Sequence, residues 1–376
     1  MAQAKSAVGP RRRRPLWLAV GLVWLTVVVL AVLAWLLVPL VDPVPAPTPD
    51  QPTSAPPSPT PEATPSPLSY SVSLDPVRAG ATVKPAVISA ELGQPVARLP
   101  YAQLEGQRFL GWFTDPDDPA APRLDNATLD QLPTDRSTTL YARFEPKPTT
   151  IDRQSDGLPI LMYHYFYDPD RGESGADGNW LDIRLFRQQL TWLRDNNYYY
   201  PTWDEADAYL RGDIVLPSRS IILTSDDALP SVYELAVPAV LDYGAKLTIF
   251  PVVKYFDPAW LGQFDPERIF FQSHSYDMHP GTADGSAKLL TATPQEIAAD
   301  VAASAAVLGT KDILCYPYGV TTEVAEAALA ANGVRLALII GNQRAYPLMD
   351  PMAIPRLRMS DGLALDDFIY IVRDAY

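Results

Sequence analysis

Three histidines and a pair of aspartates are the residues of this chain whose types and positions could do chemistry. The histidines are His164, His274 and His279, and the aspartates are the adjacent Asp226 and Asp227. On an α-helix, the five-residue spacing of His274 and His279 would turn their rings about 140° apart. They can therefore share a ligand only from a loop or a strand end. Carboxylate oxygens and imidazole nitrogens are typical Zn²⁺ ligands, so the set predicts a divalent metal centre with coordination positions open to water and substrate.

The segments that carry these residues predict alternating strands and helices from about residue 150 onward. Apolar stretches of strand length cover residues 159–166, 220–227, 246–252, 268–275, 312–319 and 335–340. Helical periodicity and capping signals cover residues 181–197, 231–244, 293–309 and 321–333. Repeated β–α alternation predicts an α/β fold with a mostly parallel sheet, either open or closed into a distorted barrel.

All three histidines and the aspartate pair fall at predicted strand ends, together with Tyr316 and Tyr318. In parallel α/β folds, functional groups collect at the carboxyl edge of the sheet. Taken singly, each residue has an ordinary structural explanation, such as a helix cap for the aspartates or a core hydrogen bond for His164. Taken together, they favour a site in which one aspartate binds a metal and the other stays free as a base.

The order of these motifs resembles that of the polysaccharide deacetylases of the NodB-homology type, carbohydrate esterase family four, over about residues 155–345. LTSDDALPSVYELAVPAVLDYGAKLTIFPV resembles the strand, TFDDG-like turn, helix and following strand of the family. SHSYDMHP resembles its His-(Ser/Thr)-x-x-His-Pro motif with one additional residue, and CYPYG stands where the family has an Arg-x-Pro-Tyr-Gly-like segment. LMYHYF resembles the early strand of the poly-N-acetylglucosamine deacetylase branch.

The resemblance implies a distorted (β/α) barrel of the NodB-homology type and a hydrolase acting on non-peptide carbon–nitrogen bonds. A cation of Zn²⁺, Co²⁺ or another divalent metal would make water more acidic and polarise the acetamide carbonyl. The leaving amine would need protonation by an acid. The implied metal ligands are Asp227, His274 and His279. The implied catalytic groups are Asp226 as general base, His164 as general acid and the backbone N–H of Tyr318 as oxyanion donor.

Two motif segments differ from the family pattern. Ser225 and Ala228 replace the Phe and Gly of the TFDDG-like turn, and Ala is strained where a backbone φ above zero is needed. Cys315 replaces the Arg of the third motif, so nothing at that position would orient the general base. Arg356 and Arg358 are the candidates for a substitute arginine.

The late Leu-x-His motif of many family members is absent, because no histidine follows His279. Either His164 replaces that histidine or the catalytic acid is missing. Two alternatives to an N-deacetylase therefore stay open. One is a surface protein that binds glycan on a degenerate deacetylase fold, and the other is an O-acetyl esterase, whose alkoxide leaving group needs the acid less.

The N-terminal region predicts attachment to a membrane. Residues 16–41 have no charged side chain and are long enough to span a bilayer of about 30 Å. Four arginines precede this stretch, which predicts a cytoplasmic tail over residues 1–15 and a signal anchor with everything after it exported. Residues 42–68 are rich in Pro, Thr, Ser and Ala and predict an extended linker. The predicted localisation is the cell membrane, single-pass, with extracellular C-terminal domains.

The remaining sequence predicts two folded parts and a glycan partner. Residues 69–146 alternate as short strands and resemble the Listeria–Bacteroides repeat, a β-grasp-like module of Gram-positive surface proteins, and residues 150–376 form the deacetylase-like domain. The formal net charge of −14 argues against binding nucleic acid. The single Cys315 excludes an internal disulfide. The resemblance to the deacetylases, together with the predicted export, implies as substrate an N-acetylated cell-surface polymer, either peptidoglycan or poly-N-acetylglucosamine.

Overall fold

A computed structural model of the chain describes residues 68–280 and 286–373. The predicted cytoplasmic tail, the signal anchor and the linker up to residue 67 lie outside the described residues. Within the described part, no helix has the length and apolar character needed to cross a membrane.

Thirteen strands and six α-helices form the described part of the chain. The strands are β1 Ser69–Asp75, β2 Val87–Glu91, β3 Gln107–Phe113, β4 Thr138–Pro146, β5 Ile160–Tyr163, β6 Tyr165–Tyr167, β7 Trp180–Asp182, β8 Ile222–Asp227, β9 Leu247–Pro251, β10 Ile269–Phe271, β11 Ile313–Cys315, β12 Leu336–Ile340 and β13 Ile354–Arg358. The α-helices are α1 Ile183–Asp195, α2 Trp203–Leu210, α3 Val237–Asp242, α4 Pro294–Leu308, α5 Glu323–Ala331 and α6 Leu365–Arg373.

Seven parallel strands form the main sheet, in the order β10-β9-β8-β5-β13-β12-β11. The two edges of this sheet meet just beyond β10 and β11. The Ser273 N–H donates to the Ile313 carbonyl at 3.3 Å, and the Cys315 N–H donates to the Ser273 carbonyl at 2.8 Å. These bonds close the sheet into an irregular barrel, so the predictions of an α/β class and a distorted barrel are confirmed.

The strand sequences explain why this sheet is buried on both faces. Every residue of β5 and β9 is buried, as expected when side chains of one face fill a barrel and those of the other meet covering helices. Helix α1 turns the apolar face of Ile183, Phe186 and Leu193 inward, as its periodicity predicts.

Helix α4 has the ends that its sequence predicts. Thr293 caps the first turn in a capping box with Glu296. Gly309 ends the helix in the left-handed conformation, with a φ of 73°. The helix is therefore held at both ends, and it provides a fixed support for the loop that packs against it.

The sequence prediction missed β13, which lies in the middle of the sheet between β5 and β12. Its sequence, IPRLR, contains a proline and two arginines, which are uncommon in a central strand. Pairing with β5 and β12 makes this segment a strand, although its local sequence pattern does not indicate one.

Residues 69–146 form a second, mixed sheet in the order β2-β1-β4-β3, with β1 and β4 parallel. This sheet contacts the barrel part directly, because the Phe109 N–H donates to the Asp213 carbonyl at 2.8 Å and the Val215 N–H donates to the Phe109 carbonyl at 2.9 Å. Buried side chains of both parts belong to one continuous apolar cluster. The domain boundaries and the resemblance to a surface repeat stay predictions.

Candidate active site

The six residues to which the resemblance gives roles lie together at the carboxyl end of the barrel strands. His279 Nε2 lies 3.3 Å from Asp227 Oδ1, and His274 Nε2 lies 3.6 Å from the same oxygen. His164 Nε2 lies 4.0 Å from Asp226 Oδ2. The Tyr318 ring stacks on the His279 ring at a centroid distance of 4.8 Å. Strand ends far apart in sequence thus converge on one site.

Asp227, His274 and His279 form a group whose ligand atoms lie within 4.8 Å of one another. His274 Nδ1 is 2.8 Å from the Cys315 carbonyl, which can only accept, so this nitrogen donates. A neutral His274 then turns the lone pair of Nε2 toward the carboxylate.

The two imidazole rings of this group face a carboxylate oxygen that is otherwise unpaired in the described part of the chain. Asp227 Oδ1 is buried and has no hydrogen-bond partner among the described residues. Burial and the neighbouring His274 lower the pKa of His279, which favours the neutral imidazole that binds metals. The three side chains therefore fit a divalent cation, with Zn²⁺ suited to their mixed nitrogen and oxygen donors.

Asp226 is held by a buried arginine that comes from β13. Arg356 is 0% exposed and Asp226 is 2% exposed. Arg356 Nη1 and Nη2 donate to Asp226 Oδ1 and Oδ2, each at 2.8 Å. Burial alone would raise the pKa of Asp226, but the Arg356 guanidinium outweighs it and holds this pKa well below its usual range. Asp226 is therefore ionised and fixed in orientation.

Of the two arginines that the sequence offered as substitutes for the missing motif arginine, Arg356 is the one that contacts Asp226. Its Nη2 also donates to Cys315 Sγ at 2.8 Å, so the guanidinium reaches the position from which the family's third-motif arginine is missing. Arg358, the other candidate, turns away and donates to Asn179 Oδ1 at 2.6 Å. The contact to Asp226 therefore comes from a different strand, through one of the two arginines that the sequence offered as substitutes for the missing motif arginine.

The TSDDA turn directs the two aspartates to different partners. Asp227 and Ala228 both have positive φ, at 66° and 56°. This sharp turn lets Asp226 face the arginine while Asp227 faces the histidines. Ala228 occupies the position where the family has glycine, and the left-handed conformation costs an L-residue about 1–2 kcal/mol. Ser225 donates to the His164 carbonyl at 2.9 Å and so ties β8 to the chain after β5.

His164 lies beside the aspartate pair in a largely buried position. Burial lowers the pKa of its imidazole, against the opposing effect of Asp226 and Asp227. Its Nδ1 is buried without a hydrogen-bond partner in the described part of the chain. Its position allows it to exchange a proton with a group bound next to Asp226.

Asp300, which the sequence prediction missed, fixes the loop that carries His274 and His279. Its carboxylate accepts the Tyr276 N–H at 2.7 Å and the Asp277 N–H at 2.8 Å. Asp300 lies on α4 and is 8% exposed. The only sign of Asp300 in the sequence was an aspartate within an alanine-rich helix. Its burial and its hydrogen-bond partners are seen only in the packed structure.

We expect Asp300→Ala to weaken Zn²⁺ binding by about tenfold, because positions that support metal ligands typically contribute at least this much. Two partly buried backbone N–H groups would lose their acceptor, which should also lower the free energy of unfolding by about 1 kcal/mol. Competition with a chromophoric chelator measures the first effect, and urea unfolding measures the second. Gln295→Ala is the matched control, because Gln295 is an exposed residue on the same helix and takes no part in its capping box. An unchanged Zn²⁺ affinity in Asp300→Ala would contradict the expected role.

Comparisons with known proteins identify related chains. YxkH of Bacillus subtilis (strain 168), whose name assigns it to the polysaccharide deacetylases, is 26% identical over 220 residues, which are 55% of this chain and 73% of that protein. The poly-beta-1,6-N-acetyl-D-glucosamine N-deacetylase of Staphylococcus epidermidis is 22% identical over 193 residues, which are 47% of this chain and 66% of that protein. Both names are those of polysaccharide deacetylases.

No protein-family model matches the sequence. Among solved structures, IcaB from Ammonifex degensii has a TM-score of 0.49 and 25% identity, over 58% of this chain and 98% of that chain. The names of the Bacillus subtilis and Staphylococcus epidermidis relatives agree with the predicted enzyme class, the hydrolases of non-peptide carbon–nitrogen bonds. The roles of the individual site residues stay predictions.

Proposed function

We propose that this protein is a divalent-metal-dependent hydrolase that removes N-acetyl groups from a cell-surface polysaccharide of N-acetylglucosamine. The observation that carries the proposal is that a possible metal-binding group lies next to an oriented carboxylate. Asp227 faces two histidines as a metal-binding group, and the adjacent Asp226 is ionised and held by Arg356. A metal-binding group next to an oriented carboxylate is the arrangement that amide hydrolysis needs.

The chain's own groups have distinct tasks in this proposal. Asp227, His274 and His279 would hold the cation. Zn²⁺ or a similar divalent ion bound there supplies Lewis acidity, which polarises the acetamide carbonyl and makes water a stronger nucleophile. Asp226 takes the proton from the attacking water, because it is ionised and fixed in orientation.

His164 is the proposed acid that protonates the leaving amine. It is the one histidine outside the metal-binding group, and its Nε2 lies within 4.0 Å of Asp226 Oδ2. A proton taken up by Asp226 could therefore pass to His164 over a short path. The Tyr318 N–H is the proposed donor to the oxyanion, and the stacking of the Tyr318 ring on His279 supports this proposal.

The sequence pattern of residues 1–68 supports a location at the cell surface. An apolar segment of spanning length, preceded by arginines and followed by a proline-rich linker, would hold the enzyme at the membrane with its site outside the cell. Such a position gives access to peptidoglycan or poly-N-acetylglucosamine. Removal of acetyl groups from either polymer would expose amines and make the product cationic.

Acetate release is the direct test of the proposed function. We expect the full-length chain to release acetate from poly-β-1,6-N-acetylglucosamine, chito-oligosaccharides or peptidoglycan. Treatment with a chelator should reduce the rate at least about 100-fold, because the cation contributes several kcal/mol to the transition state. Added Zn²⁺ or Co²⁺ should restore it.

The same assay separates the alternatives. Acetate release from O-acetylated but not from N-acetylated sugars would identify an esterase. Glycan binding that is insensitive to chelator and accompanied by no acetate release would identify a non-catalytic binding protein. Either result would contradict the proposed N-deacetylase.

A further inference from the structure

The second oxygen of the Asp227 carboxylate is engaged by a tyrosine that has no assigned role. Oδ1 of Asp227 faces the two histidines, whereas Oδ2 accepts a hydrogen bond from the Tyr165 hydroxyl. Tyr165 begins β6, directly after His164. The two oxygens of one carboxylate therefore have different partners.

Packing around Tyr165 fixes the direction of its hydroxyl. Strands β6 and β7 pair in parallel, and Tyr165 lies opposite Trp180 in their register. The two rings are in contact, with centroids 5.2 Å apart. The next residue is anchored as well, because the Phe166 N–H donates to Ser231 Oγ at 3.2 Å. These contacts fix the position of the Tyr165 ring, whose hydroxyl donates to Asp227.

We infer that Tyr165 is a positioning residue that limits Asp227 to one ligand oxygen and thereby selects the cation. This inference rests on the proposed metal site. A carboxylate bound through both oxygens suits large ions of high coordination number such as Ca²⁺. A carboxylate bound through one oxygen, together with two imidazoles, leaves the low-coordinate, open arrangement of catalytic Zn²⁺. By donating to Oδ2, the Tyr165 hydroxyl favours binding of the cation through Oδ1 alone.

The test is Tyr165→Phe in the full-length chain, which removes only the hydroxyl. We expect the affinity for Zn²⁺, measured by competition with a chromophoric chelator, to fall about 10- to 100-fold, the usual effect of losing a hydrogen bond to a metal ligand. The visible absorption of the Co²⁺-loaded variant should weaken relative to wild type, since a freed Oδ2 raises the coordination number. Acetate release is not needed for either measurement.

Tyr167→Phe is the matched control. Tyr167 lies two residues further along β6, and its hydroxyl faces Asp361 instead of the metal-binding group. We expect this variant to bind Zn²⁺ within about twofold of wild type, as expected for a change away from the ligands. The two variants lose the same chemical group from the same strand, so a difference between them reports the contact with Asp227.

Three outcomes would overturn the inference. An unchanged Zn²⁺ affinity and Co²⁺ spectrum in Tyr165→Phe would do so while leaving the proposed deacetylase intact. An equal loss in both variants would show a general structural effect of β6. Failure of the wild-type chain to bind Zn²⁺ or Co²⁺ would remove the metal site itself. Conversely, Zn²⁺ binding that responds to Tyr165→Phe without any acetate release would support the inference and contradict the proposed function.

Discussion

Asp226→Asn is expected to reduce the rate of acetate release by about 10²- to 10⁴-fold, the usual contribution of a general base. The amide has nearly the shape of the carboxylate but cannot take a proton from water. Asp226 is the only one of the two adjacent aspartates that faces Arg356, and Asp227 faces the histidines. The substitution should therefore remove the base while leaving the metal-binding group in place.

The measurement combines acetate release with Zn²⁺ binding in the full-length variant. Retained Zn²⁺ affinity would show that the site is folded, since Asp226→Asn leaves Arg356 without its carboxylate partner. Asp195→Asn is a suitable control, because Asp195 is an exposed residue at the end of α1 and pairs with Arg194. A rate within tenfold of wild type in Asp226→Asn would rule out the proposed base.

Arg356→Met is expected to lower the free energy of unfolding by about 3–5 kcal/mol, the usual cost of breaking a buried ion pair. The variant would leave the Asp226 carboxylate 2% exposed and without a counter-charge. The same guanidinium also donates to Thr224 Oγ1 at 3.1 Å and to Cys315 Sγ, so several buried polar groups would lose a partner together. Methionine fills a similar volume, which limits the contribution of an empty cavity.

Arg358→Met is the matched control, because Arg358 is an exposed arginine on the same strand whose guanidinium donates to Asn179 Oδ1 and not to Asp226. We expect it to change the free energy of unfolding by about 0.5 kcal/mol or less. Urea unfolding followed by circular dichroism measures both variants. Equal stability of Arg356→Met and Arg358→Met would refute the ion pair as the main support of this end of the barrel.

A double-mutant cycle separates the ion pair from packing. Combining Asp226→Asn with Arg356→Met removes both charges, so no ion is left buried alone. We expect the double variant to be more stable than the sum of the two single changes predicts, with a coupling of about 0.5–3 kcal/mol. Simple addition of the two effects would assign the loss to packing instead of charge.

The sequence was informative about the residues at strand ends. Alternation of apolar strands and amphipathic helices predicts a parallel sheet, and such a sheet places all of its carboxyl ends at one edge. His164, Asp226 and His274 could therefore be grouped without coordinates, although they are far apart in the chain. The caps of α4 at Thr293 and Gly309 were predictable for a similar reason, since both depend on local backbone chemistry.

The partners of these residues were not predictable in the same way. Arg356 lies on a strand whose local pattern does not indicate a strand, and it reaches Asp226 only because β13 inserts between β5 and β12. Asp300 and Tyr165 likewise act on residues to which no short-range pattern connects them. Hydrogen bonds between distant segments depend on strand order and helix placement. Neither can be predicted from the spacing of residues along the chain.

The sequence by itself determined the types of the chemical groups and the edge of the sheet at which they meet, because hydrophobic periodicity is a local property that fixes where each strand ends. Only the tertiary structure decided which arginine neutralises Asp226, which oxygen of Asp227 faces the histidines and what holds their loop. Those choices depend on the order in which the strands pack, and packing brings together side chains that have no relation along the chain.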